Sequence, residues 1–158
     1  MTDSIKSNTQ YIRLNALIIT AKRATERRDY VDLGDALARL AKELEQLPQD
    51  QHPAAHKDYV AFTQQFEPHK DYVDLFKITR KTVESAAKDL DLLVKQDAAQ
   101  KPVDAAKLAQ LAKRLQTADN SLELVPPETT PKCAELRTQL DRIRADYETL
   151  SKKYSGKN

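Results

Sequence analysis

Apolar residues recur along this chain at alternating spacings of three and four positions. Such spacing puts them on one face of an α-helix, which must then be buried against a neighbouring element. The pattern predicts six helices, at roughly 5–27, 30–47, 53–66, 69–99, 102–118 and 131–154. The clearest seam is that of the last helix, with Cys133, Leu136, Leu140, Ile143, Tyr147, Leu150 and Tyr154.

Proline and glycine support the helical interpretation. Pro53, Pro68, Pro102 and Pro131 each stand just before a helical pattern, where proline is well tolerated. The chain has only two glycines, whereas a β-rich protein needs many glycine-containing tight turns. We therefore expect an all-α fold, a six-helix antiparallel bundle or array, which forms either a single domain over 1–158 or two stacked three-helix units.

An internal repeat would account for two such units. Residues 37–44 and 108–115 agree at six of eight positions. The halves would then be about 10–67 and 69–154. The other explanation is chance, because amphipathic helices rich in Leu, Ala and Lys resemble one another.

Residues 28–48 resemble the turn and second helix of a tetratricopeptide-type hairpin. The resemblance lies in Asp29-Tyr30 at the turn, the Ala/Leu-rich helix that follows, and Pro48. It covers about twenty residues and lacks the tryptophan and glycine of that motif, and the predicted fourth helix is too long for it, so we do not assign the chain to that family.

Charge and hydropathy exclude several classes of protein. The net charge of +2 is spread as +4 over residues 1–28, −5 over 29–100 and +3 over 101–158, with no block of like charges. The longest apolar run, 16–19, is far shorter than a membrane span of about 20 residues. Arg13 and Asn15 interrupt the only candidate signal peptide. We expect a cytoplasmic protein, or one exported without a cleavable signal, and no membrane association.

No catalytic pattern is recognisable in the sequence. Gly34 and Gly156 stand alone, which excludes a glycine-rich phosphate loop. Cys133 lies on an apolar seam, where a thiol is usually inert core. We predict that the protein is not an enzyme.

The three histidines are the only candidate metal ligands of note. His52 and His56 are four residues apart, and His69 lies at the next helix junction. An i,i+4 pair of histidines on a helix can bind a transition metal. Pro53, however, places His52 at the helix cap rather than on the helical face. We predict no metal and no cofactor, and keep a metal- or small-ligand-binding bundle as the least favoured function.

The connection at 119–130 is predicted to be a long loop, and it contains Leu122, Leu124 and Val125. Apolar residues in such a loop either dock a partner or cap the core. Both interpretations stay open, and we name these three residues as candidates for partner binding.

A basic patch and the last helix offer two further surfaces. Lys22, Arg23, Arg27 and Arg28 form a small basic patch, which suits a nucleic-acid contact or, as we prefer, complements the dipole at a helix C-terminus. The seam of helix 131–154 could form a coiled-coil oligomer or, as we prefer, close an intramolecular bundle.

Together these patterns favour a non-enzymatic helical protein of the interaction or adaptor type. Its expected partner is another protein. A nucleic-acid-associated helical subunit is the alternative.

Overall fold

A computed structural model describes the backbone of residues 2–48 and 50–155, and the side chains of residues 9–48 and 50–154. Every regular element in these ranges is helical, which confirms the all-α prediction. Two 3₁₀ turns, Glu67–His69 and Pro127–Thr129, accompany the α-helices. The α-helices are α1 (Thr2–Glu26), α2 (Tyr30–Glu45), α3 (Pro53–Phe66), α4 (Lys70–Ala98), α5 (Ala105–Leu124) and α6 (Lys132–Ser155).

The prediction of six separate helices is wrong at the junction of α3 and α4. Phe66, Glu67 and Lys70 all have right-handed helical backbone angles, so that α3, the 3₁₀ turn and α4 follow one another without a loop. Counted as continuous helical segments, the described chain has five. Pro68 lies within that 3₁₀ turn, where a proline is tolerated much as in the first turn of a helix.

The chain divides into two compact units. Unit 1 contains the described residues up to Val73 together with Glu128–Pro131, and unit 2 contains Asp74–Pro127 and the described residues from Lys132 onward. Whether the two units reflect an internal repeat stays a prediction.

Unit 1 is built on α1, α2 and α3. Hydrogen-bonded Gln10 and Gln46 mark one end of the α1–α2 pair, and the ion pair of Arg27 and Asp32 marks the other, so the two helices are antiparallel. Phe66 of α3 packs so closely on α2 that a Cβ at Gly34 would lie 2.9 Å from its ring. The buried core includes Leu14, Ala21, Ala24, Val31, Leu33, Ala36, Leu37, Leu40, Leu44, Ala55 and Val73.

Unit 2 is a three-helix arrangement of α4, α5 and α6. Arg114 of α5 contacts Asp89 of α4, and Arg137 of α6 contacts Asp119 of α5. The apolar seams predicted for these helices face the core of the unit. Its buried residues include Phe76, Val83, Ala86, Leu90, Leu93, Leu108, Leu111, Leu115, Leu136, Leu140, Ile143 and Leu150.

The predicted loop at 119–130 is largely helical. Helix α5 continues to Leu124, six residues beyond its predicted end at 118, because Ala118 and Leu122 extend the buried seam of Leu108, Leu111 and Leu115. The connection that remains before α6 holds the second 3₁₀ turn.

Each unit contains a helical hairpin with the same type of helix ending. Two residues beyond the end of α1, Arg28 has φ 55°, and two residues beyond the end of α4, Gln100 has φ 58°. In each case the amide of this residue and the amide of the following one donate to helix carbonyls in the Schellman pattern (28 to 25 and 29 to 24; 100 to 97 and 101 to 96). An aspartate then caps the following helix, Asp29 for α2 and Asp104 for α5.

None of the described helices is long and apolar enough to cross a lipid bilayer.

Candidate partner-binding groove in unit 2

A groove runs along unit 2 between α4 and α6, with a volume of about 460 Å³. Each helix contributes residues spaced three or four apart, which is one helical face. Helix α4 supplies Ala87, Leu90, Asp91, Val94 and Asp97, and α6 supplies Ile143, Asp146, Thr149, Leu150 and Lys153.

The floor of the groove is apolar. Leu90, Ile143 and Leu150 are buried, and their side chains belong to the core of the unit. Val94 lies above them and is 41% exposed, although it is an aliphatic side chain in the middle of the lining. An exposed aliphatic residue over a buried apolar floor leaves surface that a partner could remove from water, which stabilises a complex by about 25 cal/mol per Å² of apolar area.

The edges of the groove carry carboxylates. Asp91 forms an ion pair with Lys95 at 2.9 Å, but both side chains are largely exposed, so water screens the pair and it contributes little to stability. Asp146 of α6 lines the groove as well, and it forms no ion pair or hydrogen bond with any described residue. The groove therefore presents negative charge on both sides of its apolar floor.

Asp97 of α4 links the two helices at one end of the groove through contacts with α6. Lys153 lies 2.9 Å from one of its carboxyl oxygens, and the Tyr154 hydroxyl donates to the other at 2.6 Å. This hydrogen bond to Asp97 is the main reason that the pKa of Tyr154 is raised above its ordinary value. A second recess of about 480 Å³ adjoins the groove at Asp97 and is lined by residues up to Val103. The recessed surface therefore extends to the connection between α4 and α5.

Ion pairs away from the groove hold α5 in the unit. Arg137 and Arg144 of α6 both contact Asp119, whose side chain is only 15% exposed. The hydrogen bond from Arg137 is the main cause of the lowered pKa of Asp119. Arg114 contacts Asp89 and donates to Ser85 of α4. These contacts fix the helices that form the groove without entering it.

The three predicted partner-binding residues lie in different environments. Leu122 and Val125 are buried in unit 2, as expected of a packed cap, whereas Leu124 is 68% exposed at the end of α5. Of the two interpretations left open by the sequence, the packed cap describes Leu122 and Val125, because the longer α5 places Leu122 on the buried seam. Leu124 stays a candidate by itself.

The four basic residues lie at the end of α1, as the sequence indicated. Lys22, Arg23, Arg27 and Arg28 are all exposed. Arg27 lies 3.5 Å from Asp32, and Arg23 is in the last turn of the helix, where a cation interacts favourably with the helix dipole.

The histidines are dispersed among aromatic contacts of unit 1. His52 packs against Tyr11 with ring centres 5.2 Å apart, and His69 stacks on Tyr30 at 3.6 Å. His56 has a buried Nε2 without a hydrogen-bond partner. Within the part of the chain that the structure describes, no three potential metal-ligating side chains come together.

Much of the predicted α6 seam is buried within the chain itself. Leu136, Leu140, Ile143 and Leu150 of the α6 seam are buried within unit 2, while the oligomer through this helix stays a prediction. Cys133 is half-buried and has its own contacts.

The sequence interpretation missed the groove, although one signal was available. Leu92, Leu93 and Val94 are three consecutive apolar residues, and one helix face cannot bury all three. Only Leu93 is buried, while Leu92 and Val94 are exposed on either side of it. Such a run within a helix indicates an apolar surface beyond what the core uses.

Comparison with known proteins finds no matching family model, no matching curated protein and no matching solved structure. The function must therefore be inferred from the surface of this chain.

Proposed function

We propose that this is a non-enzymatic helical interaction protein of the adaptor type, and that it binds a partner protein in the α4–α6 groove. The single observation that carries the proposal is the open apolar floor of the groove, with Val94 exposed above Leu90 and Leu150. Grooves between helices are a recurrent docking surface for protein segments.

The surrounding contacts support a rigid, preformed surface. Asp97 ties α4 to α6 through Lys153 and Tyr154, and Arg137 and Arg144 tie α6 to α5 through Asp119. A groove whose helices are fixed before binding loses less conformational entropy when a partner docks.

Photo-crosslinking in cells tests the proposal. A benzoylphenylalanine residue is introduced at position 94 in the groove and, as a matched control, at position 78, because Ile78 is also an exposed aliphatic residue of α4. We expect a discrete crosslinked protein from position 94 that is absent from position 78. The same product should be strongly reduced when Thr149→Trp is added, because Thr149 is an exposed residue of the groove lining and a bulky side chain there blocks any occupant.

Three results would contradict the proposal: no crosslinked protein from position 94, the same products from both positions, or products that persist undiminished in the Thr149→Trp background. A third probe at position 124 addresses the remaining sequence-derived candidate. A product from position 124 alone would move the binding surface to Leu124 at the end of α5.

Nucleic-acid association is the weaker alternative. It would use the exposed patch of Lys22, Arg23, Arg27 and Arg28, but Arg27 already pairs with Asp32. A gel-shift titration at low salt tests it, since binding through phosphate contacts should weaken steeply as salt is added.

A further inference from the structure

From the lining of the α4–α6 groove we infer that its occupant is a basic amphipathic α-helix of about three turns. The inference rests on the proposed function, because it specifies the partner of the same groove. Length, backbone chemistry and charge each support it.

The groove has the length of a short helix. Its α4 face extends from Ala87 to Asp97, which corresponds to about 15 Å at 1.5 Å per residue. A partner helix of the same length makes about three turns and presents apolar residues at i, i+3 or i+4, and i+7 to the groove.

The backbone chemistry favours a helix over an extended segment. Both walls are α-helices, whose main-chain groups are already hydrogen-bonded within each helix. An extended segment would find no strand edge to pair with above Leu90 and Ile143, and its own amide and carbonyl groups would lose water without replacement. A helix satisfies its own backbone and offers only side chains to the floor.

The charge of the groove is opposite to that of the unit around it. The lining contains Asp91, Asp97 and Asp146 against the single base Lys153, whereas unit 2 as a whole has sixteen bases and twelve acids in its sequence. Carboxylates are thus concentrated at this surface rather than being typical of the unit. Opposite charges across an interface steer association and select the partner.

The carboxylates on the two edges are available to a cationic partner. Asp146 has no partner among the described side chains. The pair of Asp91 with Lys95 is exposed on both sides, so water screens it and it contributes little to stability. A partner lysine or arginine therefore replaces Lys95 at little cost. The partner helix is therefore expected to carry lysine or arginine on both sides of its apolar stripe.

Peptide binding to the full-length protein tests the inference. Three labelled peptides of fourteen residues are compared by fluorescence anisotropy: one with leucine on one face and lysine on the flanks, one with glutamate in place of lysine, and the lysine peptide with a central proline. We expect the lysine helix to bind about tenfold tighter than the glutamate helix at low salt. The proline peptide should bind weakly, because proline breaks a helix.

Substitutions then locate the binding. Asp146→Lys should weaken the lysine helix about fivefold and strengthen the glutamate helix, since an attraction becomes a repulsion. Glu148→Lys is the matched control, because Glu148 is an exposed acid on the same helix outside the groove, and it should change either affinity by less than about twofold. Val94→Asp should weaken both helical peptides.

The outcomes separate this inference from the proposed function. If the lysine and glutamate peptides bind equally well and Val94→Asp abolishes the binding of both, the inference that the partner is basic is wrong. The groove is then still the docking surface. If no peptide binds but position 94 still gives a specific crosslink, the occupant of the groove is not a helix. If the protein sediments as a dimer and Val94→Asp makes it a monomer, the occupant is a second copy of this chain. Failure of both the peptides and the crosslink overturns the inference and the proposed function together.

Discussion

The α1–α2 turn of unit 1 and the α4–α5 turn of unit 2 use the same local chemistry in different surroundings. Both end a helix on a left-handed residue that is not glycine, and both start the next helix with an aspartate cap. In unit 1 the capping residue Asp29 follows Arg28 directly, and it is buried. In unit 2 three residues separate Gln100 from Asp104, which is exposed.

The difference lies in what the cap holds besides its helix. One carboxyl oxygen of Asp29 accepts both from the Asp32 amide, at 3.1 Å, and from the Thr130 hydroxyl, at 2.8 Å. Thr130 is 101 residues away in sequence and is itself fully buried. The Asp104 carboxyl accepts from Ala106 of its own helix. One cap is thus part of the tertiary structure of unit 1, and the other is a local feature of α5.

The largest expected effect distinguishes the two caps directly. We expect Asp29→Ala to destabilise the protein by about 2–4 kcal/mol, because it removes a cap and leaves the buried Thr130 hydroxyl without this acceptor. Asp104→Ala should cost about 0.5–1 kcal/mol, as for an exposed cap. Denaturant unfolding measures both, and equal losses would show that burial of Asp29 adds nothing.

Substitution of two adjacent buried threonines tests the hydrogen bond to Asp29 at its donor. Thr130→Val should cost about 1–2 kcal/mol, since the hydroxyl that donates to Asp29 is lost. Thr129 is equally buried, but its hydroxyl has no hydrogen-bond partner. Thr129→Val should therefore be neutral or stabilise the fold by up to about 1 kcal/mol. Equal destabilisation by the two substitutions would contradict the role given to Thr130.

The left-handed residues give a smaller effect of the opposite sign. Arg28 and Gln100 occupy a conformation that is unfavourable for a residue with a side chain. We expect Arg28→Gly and Gln100→Gly each to stabilise the protein by about 0.5–1 kcal/mol. This gain is smaller than the cost of the left-handed conformation that is relieved, because glycine also increases the conformational entropy of the unfolded chain. Thermal unfolding compares the two variants, and a loss of stability in either would indicate side-chain contacts that outweigh the backbone strain.

The smallest expected effect is a pH dependence specific to unit 2. The pKa of Asp119 is lowered in the folded protein, mainly because Arg137 donates a hydrogen bond to it. A group with a lowered folded pKa stabilises the fold above its unfolded pKa, near 3.8, and this contribution is lost as the pH falls through the folded value. Urea unfolding between about pH 2 and pH 6 should show a shallower acid decline in Asp119→Asn than in the unsubstituted protein. An unchanged decline would mean that Asp119 titrates normally.

Most of the helical structure could be predicted from the sequence, since it depends on local periodicity. The predicted α4 seam is buried at Phe76, Thr79, Val83, Ala86, Leu90 and Leu93, whereas its first residue, Tyr72, is 42% exposed. The errors lie where two local signals conflict. Pro68 suggested a break between helices, but the backbone passes it in a 3₁₀ turn, and the predicted end of α5 at 118 ignored the helical spacing of Ala118 and Leu122.

From the sequence, the run of Leu92, Leu93 and Val94 indicates only that α4 carries more apolar surface than the core uses. It does not indicate a groove, because a groove is a relation between two helices. The spacing of Ala87, Leu90 and Val94 shows that they share a face of α4, but not that Ile143 and Leu150 lie opposite. The sequence by itself determined which segments are helical and which faces are apolar, since both follow from positions a few residues apart. Only the tertiary structure decided which apolar residues stay exposed, as Val94 does, and which distant groups meet, as Asp29 and Thr130 do, because burial and long-range hydrogen bonds depend on how the helices pack.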